Sequence, residues 1–73
     1  MLYKVLDTFL IGANTSVTLD GNGKGLKNNI TVYDDNGITH NLLSVAMVSE
    51  RDAKAGTVTV LIEGEFKSNT VRI

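Results

Sequence analysis

The residue types that could do chemistry are few in this chain of 73 residues, which has one histidine and no cysteine. His40 is the one side chain whose ordinary pKa suits a general base near neutral pH. Ser44 and Asp35 are close to it in the sequence and could in principle complete a nucleophile–base–acid triad. Nothing in their spacing supports a triad, and so short a chain leaves little room for a substrate cleft. We interpret His40 as a surface or partly buried strand residue.

Paired carboxylates are the other pattern that could support acid–base chemistry. Asp34 and Asp35 are adjacent, but neighbouring aspartates of this kind typically favour a turn and solubility. Glu63 and Glu65 would share a face only if one strand ran unbroken through Gly64. Neither pair predicts an acid–base site, so we expect a protein that is not an enzyme.

The run Asp20-Gly-Asn-Gly-Lys-Gly25 has the beginning of a calcium-loop pattern. A calcium loop needs oxygen ligands at its fifth and twelfth positions, where this chain has Lys24 and Thr31. The glycine spacing fits neither a phosphate loop nor a dinucleotide fingerprint. Thiolate and multi-histidine metal sites are excluded by composition. We expect a flexible turn, no metal and no cofactor.

Charge and hydropathy exclude further classes. Seven basic and eight acidic residues give a net charge of −1, and the basic residues are scattered rather than gathered into the stripe typical of nucleic-acid binding. Asp7 interrupts the apolar N-terminal run, which argues against a signal peptide. No run approaches the ~20 apolar residues of a membrane span. We expect a protein made in a cytoplasm, with no nucleic-acid or membrane partner.

The elements that would position these residues are mostly strands. Leu2–Ile11 is rich in strand-forming residues, and Ser16–Leu19 alternates polar and apolar side chains with the period of a half-buried strand. Asn36-Gly37 lies between two strand-like runs, 29–33 and 38–41, which predicts a hairpin with a type I′ turn.

Residues 42–48 are apolar on both faces and could form a central strand or begin a helix. The preferred interpretation is a strand through Val48, followed by a loop or one helical turn near residues 49–55. Thr57–Glu63 is the clearest strand, with Val58, Val60 and Ile62 facing the core. Gly64 indicates a bulge or tight bend, and Phe66 is expected to be buried. The chain is therefore predicted to be one all-β domain, residues 1–73, forming a small barrel or sandwich of about six short strands.

A domain this small gains little stability from its own core, which favours contact with a partner, above all self-association. The N-terminal segment carries Tyr3, Val5, Phe9 and Ile11. It is either an ordinary first strand or an edge strand that pairs with another chain by β-augmentation.

The order of segments resembles the lambda-type head decoration proteins of tailed bacteriophages. The residues that carry the resemblance are Ile30–Gly37, Leu42–Val48, Thr57–Phe66 and Val71–Ile73, and above all the ending Gly64-Glu65-Phe66. The chain departs from that family in having no proline and a short N-terminal segment.

The resemblance implies a homotrimer at local threefold positions on the outside of an expanded phage head. There it would stabilise the capsid by binding the major capsid protein. The segment containing Leu2, Tyr3 and Val5 would be the strand that faces the capsid. The protein would occur in the host cytoplasm during assembly and on the virion afterwards.

A second resemblance comes from another class of protein. Gly25-Leu-Lys27, the hairpin and Ala55-Gly56-Thr-Val-Thr-Val60 are similar to the small β-barrel second domain of translation elongation factors. A free-standing copy of that domain would have a regulatory binding role.

Overall fold

The computed structural model of the protein describes residues 1–46 and 56–73. Those residues form six strands and no helix, which confirms the predicted all-β fold. The helical turn predicted near 49–55, and the last residues of the strand predicted through Val48, lie outside the described residues. The strands are β1 (Leu2–Ile11), β2 (Asn14–Asp20), β3 (Ile30–Tyr33), β4 (Thr39–Val45), β5 (Thr57–Glu63) and β6 (Thr70–Arg72).

The six strands close into a single antiparallel barrel, one of the two architectures expected from the sequence. Their order around the barrel is β1-β2-β5-β4-β3-β6. β2 pairs along its whole length with β5, from Asn14 opposite Glu63 to Asp20 opposite Thr57. β6 closes the barrel by pairing with β1, where Tyr3 lies opposite Val71. Closure leaves the short strands with few exposed edges, which is how small barrels limit unwanted pairing.

Two irregularities bend the longer strands. The pairing of β1 with β2 skips Leu6, between Val5 and Asp7, and the pairing of β4 with β5 skips Leu43. An extra residue of this kind bends a strand and increases its twist, which helps a short sheet to close. It also moves the side chains that follow to the opposite face.

The core fills the barrel with apolar side chains from every strand. Val58, Val60 and Ile62 of β5 are buried as the alternation predicts, and cross-strand partners from β2 and β4 face them. The prediction that Phe66 is buried is confirmed. The buried hydrophobic residues are Tyr3, Val17, Leu19, Leu26, Val32, Leu42, Val58, Val60, Ile62, Phe66 and Val71.

A bend at Gly64 brings Phe66 into one end of the barrel. Gly64 has a φ of 77°, a left-handed conformation that favours glycine, and its carbonyl accepts a 2.6 Å hydrogen bond from the Thr15 hydroxyl. The same hydroxyl oxygen accepts the backbone N–H of Phe66 at 3.1 Å. The buried Thr15 therefore fixes the direction in which the chain leaves β5, and the predicted tight bend is confirmed.

The hairpin between β3 and β4 is confirmed, but the predicted type I′ turn is wrong. Tyr33 lies opposite Thr39, and the N–H of Asp34 donates to the Ile38 carbonyl at 3.0 Å. Three residues therefore form the loop, and of these only Gly37 has a positive φ, of 79°. A type I′ turn requires positive φ at both central residues, whereas a three-residue loop requires it only at its last position.

Residues 42–45 form a strand, so the helical alternative is wrong for this stretch. Two contacts hold its end in place. The N–H of Val45 donates to the side-chain oxygen of Asn28 at 2.8 Å, and the N–H of Ala46 donates to the Thr59 carbonyl at 2.9 Å.

Candidate functional site

His40 pairs with an aspartate that the sequence did not single out for it. Its Nε2 lies 2.9 Å from Oδ2 of Asp34, and both side chains are largely shielded from solvent. Asp34 begins the hairpin loop, and its Oδ1 accepts the N–H groups of Asn36 and Ile38 at 2.8 and 2.9 Å. The hydrogen bond from His40, followed by those from Ile38 and Asn36, lowers the pKa of Asp34 below its ordinary value.

The triad considered from the sequence is not assembled. Ser44 lies four residues from His40 on the same strand, about 13 Å along it. Asp35 instead uses its backbone N–H to bind the Ser68 hydroxyl at 3.0 Å. The His40 and Phe66 rings pack in a T-shaped arrangement, with 4.8 Å between ring centroids and 79° between ring planes. The histidine therefore joins the hairpin loop to the end of the core, and its geometry suits a structural role.

Because of Asp34, the free energy of unfolding should fall as the solution becomes acidic. Because folding lowers its pKa, its contribution is complete above the unfolded-state pKa of about 3.9 and is lost as pH falls through the lower folded-state value. Asp34→Asn keeps an oxygen acceptor for the loop but removes the charge next to His40. We expect this variant to unfold at lower urea concentration than the parent at neutral pH, and the difference to shrink as pH falls below about 4.

Asp35→Asn is the matched control, because its side chain is exposed on the same loop. Its urea midpoint should follow that of the parent at every pH. Equal midpoints for Asp34→Asn and the parent at neutral pH would contradict a stabilising role for the His40–Asp34 contact.

The glycine-rich loop after β2 is organised by its own contacts. The side-chain oxygen of Asn22 accepts the N–H of Lys24 at 2.9 Å, and the Lys24 carbonyl accepts the hydroxyl of Tyr3. In the parts of the chain that the structure describes, no three histidine, aspartate or glutamate side chains are grouped so that they could hold a metal ion. The loop serves to cover the Tyr3 end of the core.

The most distinctive surface of the protein is apolar and lies on β1. Within residues 1–46 and 56–73, six of the eight exposed large hydrophobic side chains belong to residues 1–11. We call residues Leu6–Ile11 the β1 arm. Phe9 is 59% exposed and Leu10 is 60% exposed, although adjacent residues of a strand point to opposite faces. The arm is therefore uncovered on both sides, and such apolar clusters commonly mark interaction surfaces.

The three residues expected to face a partner have different surroundings. Leu2 is exposed, Val5 is half-buried, and Tyr3 is 4% exposed within the core. Burial raises the pKa of the Tyr3 phenol. Of the three, Leu2 offers the most surface to a partner, whereas the ring of Tyr3 anchors the strand to the barrel.

Two cavities lie between the β1 arm and residues 65–69. One, of about 370 Å³, is lined by Val5–Thr8 and Lys67–Asn69. The other, of about 150 Å³, lies between the end of the arm and Glu65–Lys67. On the edge away from β2 the arm therefore borders open space rather than another strand of the described residues, and the sequence did not indicate this.

No helix within residues 1–46 or 56–73 is long and apolar enough to cross a membrane. No model of a known protein family matches the chain, and no curated protein and no solved structure matches it.

Proposed function

We propose that this chain is a non-catalytic structural protein that binds the outside of an assembled bacteriophage head and stabilises it. The partner is the major capsid protein, and the bound form is a homotrimer on the virion exterior, reached from the host cytoplasm during assembly. The observation that supports a binding role is the concentration of exposed apolar side chains on Met1, Leu2 and the β1 arm. The resemblance of residues 30–73 to head decoration proteins indicates that this partner is a capsid protein.

The physical setting is consistent with this role. A shell presents the same site many times, so a surface of modest area can hold each copy while the whole layer stabilises the head. Binding to the native state alone also adds stability to a small barrel. The exposed apolar side chains of Leu2 and the β1 arm would supply the contact, since they are not packed into the core.

The direct test is sedimentation of the purified protein with expanded, DNA-free heads assembled from the major capsid protein of a tailed bacteriophage. We expect the protein to pellet with the heads, and Leu2→Asp to weaken binding about tenfold or more because it places a charge in an apolar contact.

Ile38→Asp is the matched control, since Ile38 is similarly exposed, at 58%, but belongs to the β3–β4 hairpin and not to β1. It should bind heads as the parent does. A parent protein that stays in the supernatant at all head concentrations would contradict the proposal.

The closure of the barrel supports a second candidate function. The closed antiparallel barrel of six strands is compatible with a free-standing module similar to the second domain of translation elongation factors, with a regulatory binding role. Such a module would remain monomeric and would co-purify with ribosomes or RNA, while ignoring phage heads.

A further inference from the structure

The hydrogen-bonding groups of the β1 arm can be assigned to its two edges. Ile11 and Asn14 flank the two-residue loop between β1 and β2, and such a flanking pair is hydrogen-bonded. Because hydrogen-bonded and non-hydrogen-bonded pairs alternate along an antiparallel ladder, the backbones of Phe9 and Asp7 also form hydrogen bonds with β2. Thr8 and Leu10 therefore direct their backbone N–H and C=O groups to the opposite edge.

That opposite edge has no neighbouring strand in the described ranges 1–46 and 56–73. On β1, β6 pairs only with Leu2–Lys4, and the last backbone–backbone hydrogen bond along this edge is the 2.8 Å bond from Val5 N–H to the Asn69 carbonyl. Farther along, the N–H of Thr8 donates to the carboxylate of the adjacent Asp7 at 3.0 Å. An uncovered edge of this kind can accept another strand.

We propose that two copies of the free protein pair through this edge, antiparallel and about a twofold axis that passes beside Phe9. In this register Thr8 of each copy exchanges both backbone hydrogen bonds with Leu10 of the other. Phe9 then lies opposite Phe9 of the second copy, in the closer, non-hydrogen-bonded type of pair. The two-stranded contact joins the two barrels edge to edge.

The side chains of the arm suit a second copy. Asp7 is the one charged residue between Val5 and Asn14, and this register places it opposite Ile11 rather than opposite its own equivalent. Like charges therefore do not meet across the contact. The two exposed Phe9 rings form an aromatic pair on the outer face, whereas Leu10 packs beside Thr8 on the inner face.

The contact should be weak. A strand pair of this length buries less than the ~1,200–2,000 Å² typical of stable specific interfaces, and Asp7 must release the Thr8 N–H before the strands can join. This twofold pairing is proposed for the free protein. It is distinct from the threefold arrangement on the head and does not depend on it. A reversible dimer of this kind would cover the arm until a stronger partner replaces the second copy.

The test uses the whole protein alone, by sedimentation equilibrium over a wide concentration range. We expect the mean mass to rise reversibly from 7.9 kDa towards twice that value. Phe9→Lys and Phe9→Glu each place like charges opposite one another and should each weaken association about tenfold or more. Mixing the two variants should restore association, because the opposite charges then face each other.

Ile38→Lys and Ile38→Glu serve as controls for a charge at an exposed apolar position, and both should associate like the parent. Hydrogen exchange gives an independent measurement, since the Leu10 amide should become more protected as protein concentration rises. A monomer at all concentrations, a trimer, or a mixture of Phe9 variants that stays monomeric would each overturn the inference. None of these measurements involves phage heads, so failure here is distinct from failure of the proposed function.

Discussion

Phe66→Ala is expected to destabilise the barrel by about 3–5 kcal/mol, because it removes a fully buried aromatic ring and leaves a cavity. Phe66 is 1% exposed, and its ring also packs against that of His40. A small domain has about 5–15 kcal/mol of total stability, so much of the variant should be unfolded at moderate temperature. Urea unfolding followed by circular dichroism measures the effect.

Phe66→Leu keeps most of the apolar volume and should remain folded, with a smaller loss of stability and without the aromatic contact to His40. Lys67→Ala is the surface control, because Lys67 forms an exposed ion pair with Glu65 and exposed pairs contribute little. If Phe66→Ala and Lys67→Ala had equal urea midpoints, the assignment of Phe66 as the closure of the barrel end would be wrong.

Gly21→Ala should cost about 3 kcal/mol of folding free energy, through backbone strain and overpacking together. Gly21 has a φ of +145°, and a Cβ at this position would lie 2.5 Å from Cε1 of Tyr3. The Tyr3 ring is held from its other end by the hydrogen bond of its hydroxyl to Lys24, so it has little freedom to move aside. Thermal and urea unfolding of the purified variant measure the loss.

Gly12→Ala separates the two causes, because Gly12 also has a positive φ, of +60°, but nothing lies within 4 Å of the added Cβ. It should cost clearly less than Gly21→Ala. A Tyr3→Val background removes the ring atoms that the new Cβ would meet, so Gly21→Ala should be less harmful there. Additive losses in the double variant would show that steric contact with Tyr3 is not the cause.

The alternation of side chains predicted the strands well where no bulge intervened. In β5 a strict two-residue period placed Val58, Val60 and Ile62 inside, as found. The same period in β1 groups Tyr3, Val5, Phe9 and Ile11 on one face. The extra residue at Leu6 reverses the faces, so that Tyr3 points into the core whereas Phe9 and Ile11 point outward.

The alternation of side chains also could not predict the order of the strands in the sheet. A barrel and a sandwich require the same alternating strands, and they differ in which distant strands pair. The contact that decides is the one between β1 and β6, where three residues at each end of the chain meet. Neither Tyr3 nor Val71 carries a local signal for its partner.

The His40 environment was only partly predictable. A surface or partly buried strand histidine was expected, and His40 lies partly buried on β4. Its partner was missed because the loop was assigned two residues instead of three. With Asp34 opposite Ile38, His40 is the diagonal neighbour of Asp34 across the hairpin, within reach of a side-chain contact. An aspartate at the first position of a turn was the available signal.

The closing strand also constrains how the protein can be made. Synthesis proceeds from the N-terminal side, so β1 and β2 emerge before the other four strands and can form their hairpin early. Their outer partners, β5 and β6, come from the second half of the chain, and such distant pairings form slowly. On the ribosome the core-facing side of the first hairpin, with Tyr3, Val17 and Leu19, must therefore wait uncovered until residues 70–72 have left the exit tunnel. During that interval nascent chains on neighbouring ribosomes are exposed to co-translational aggregation through this hairpin.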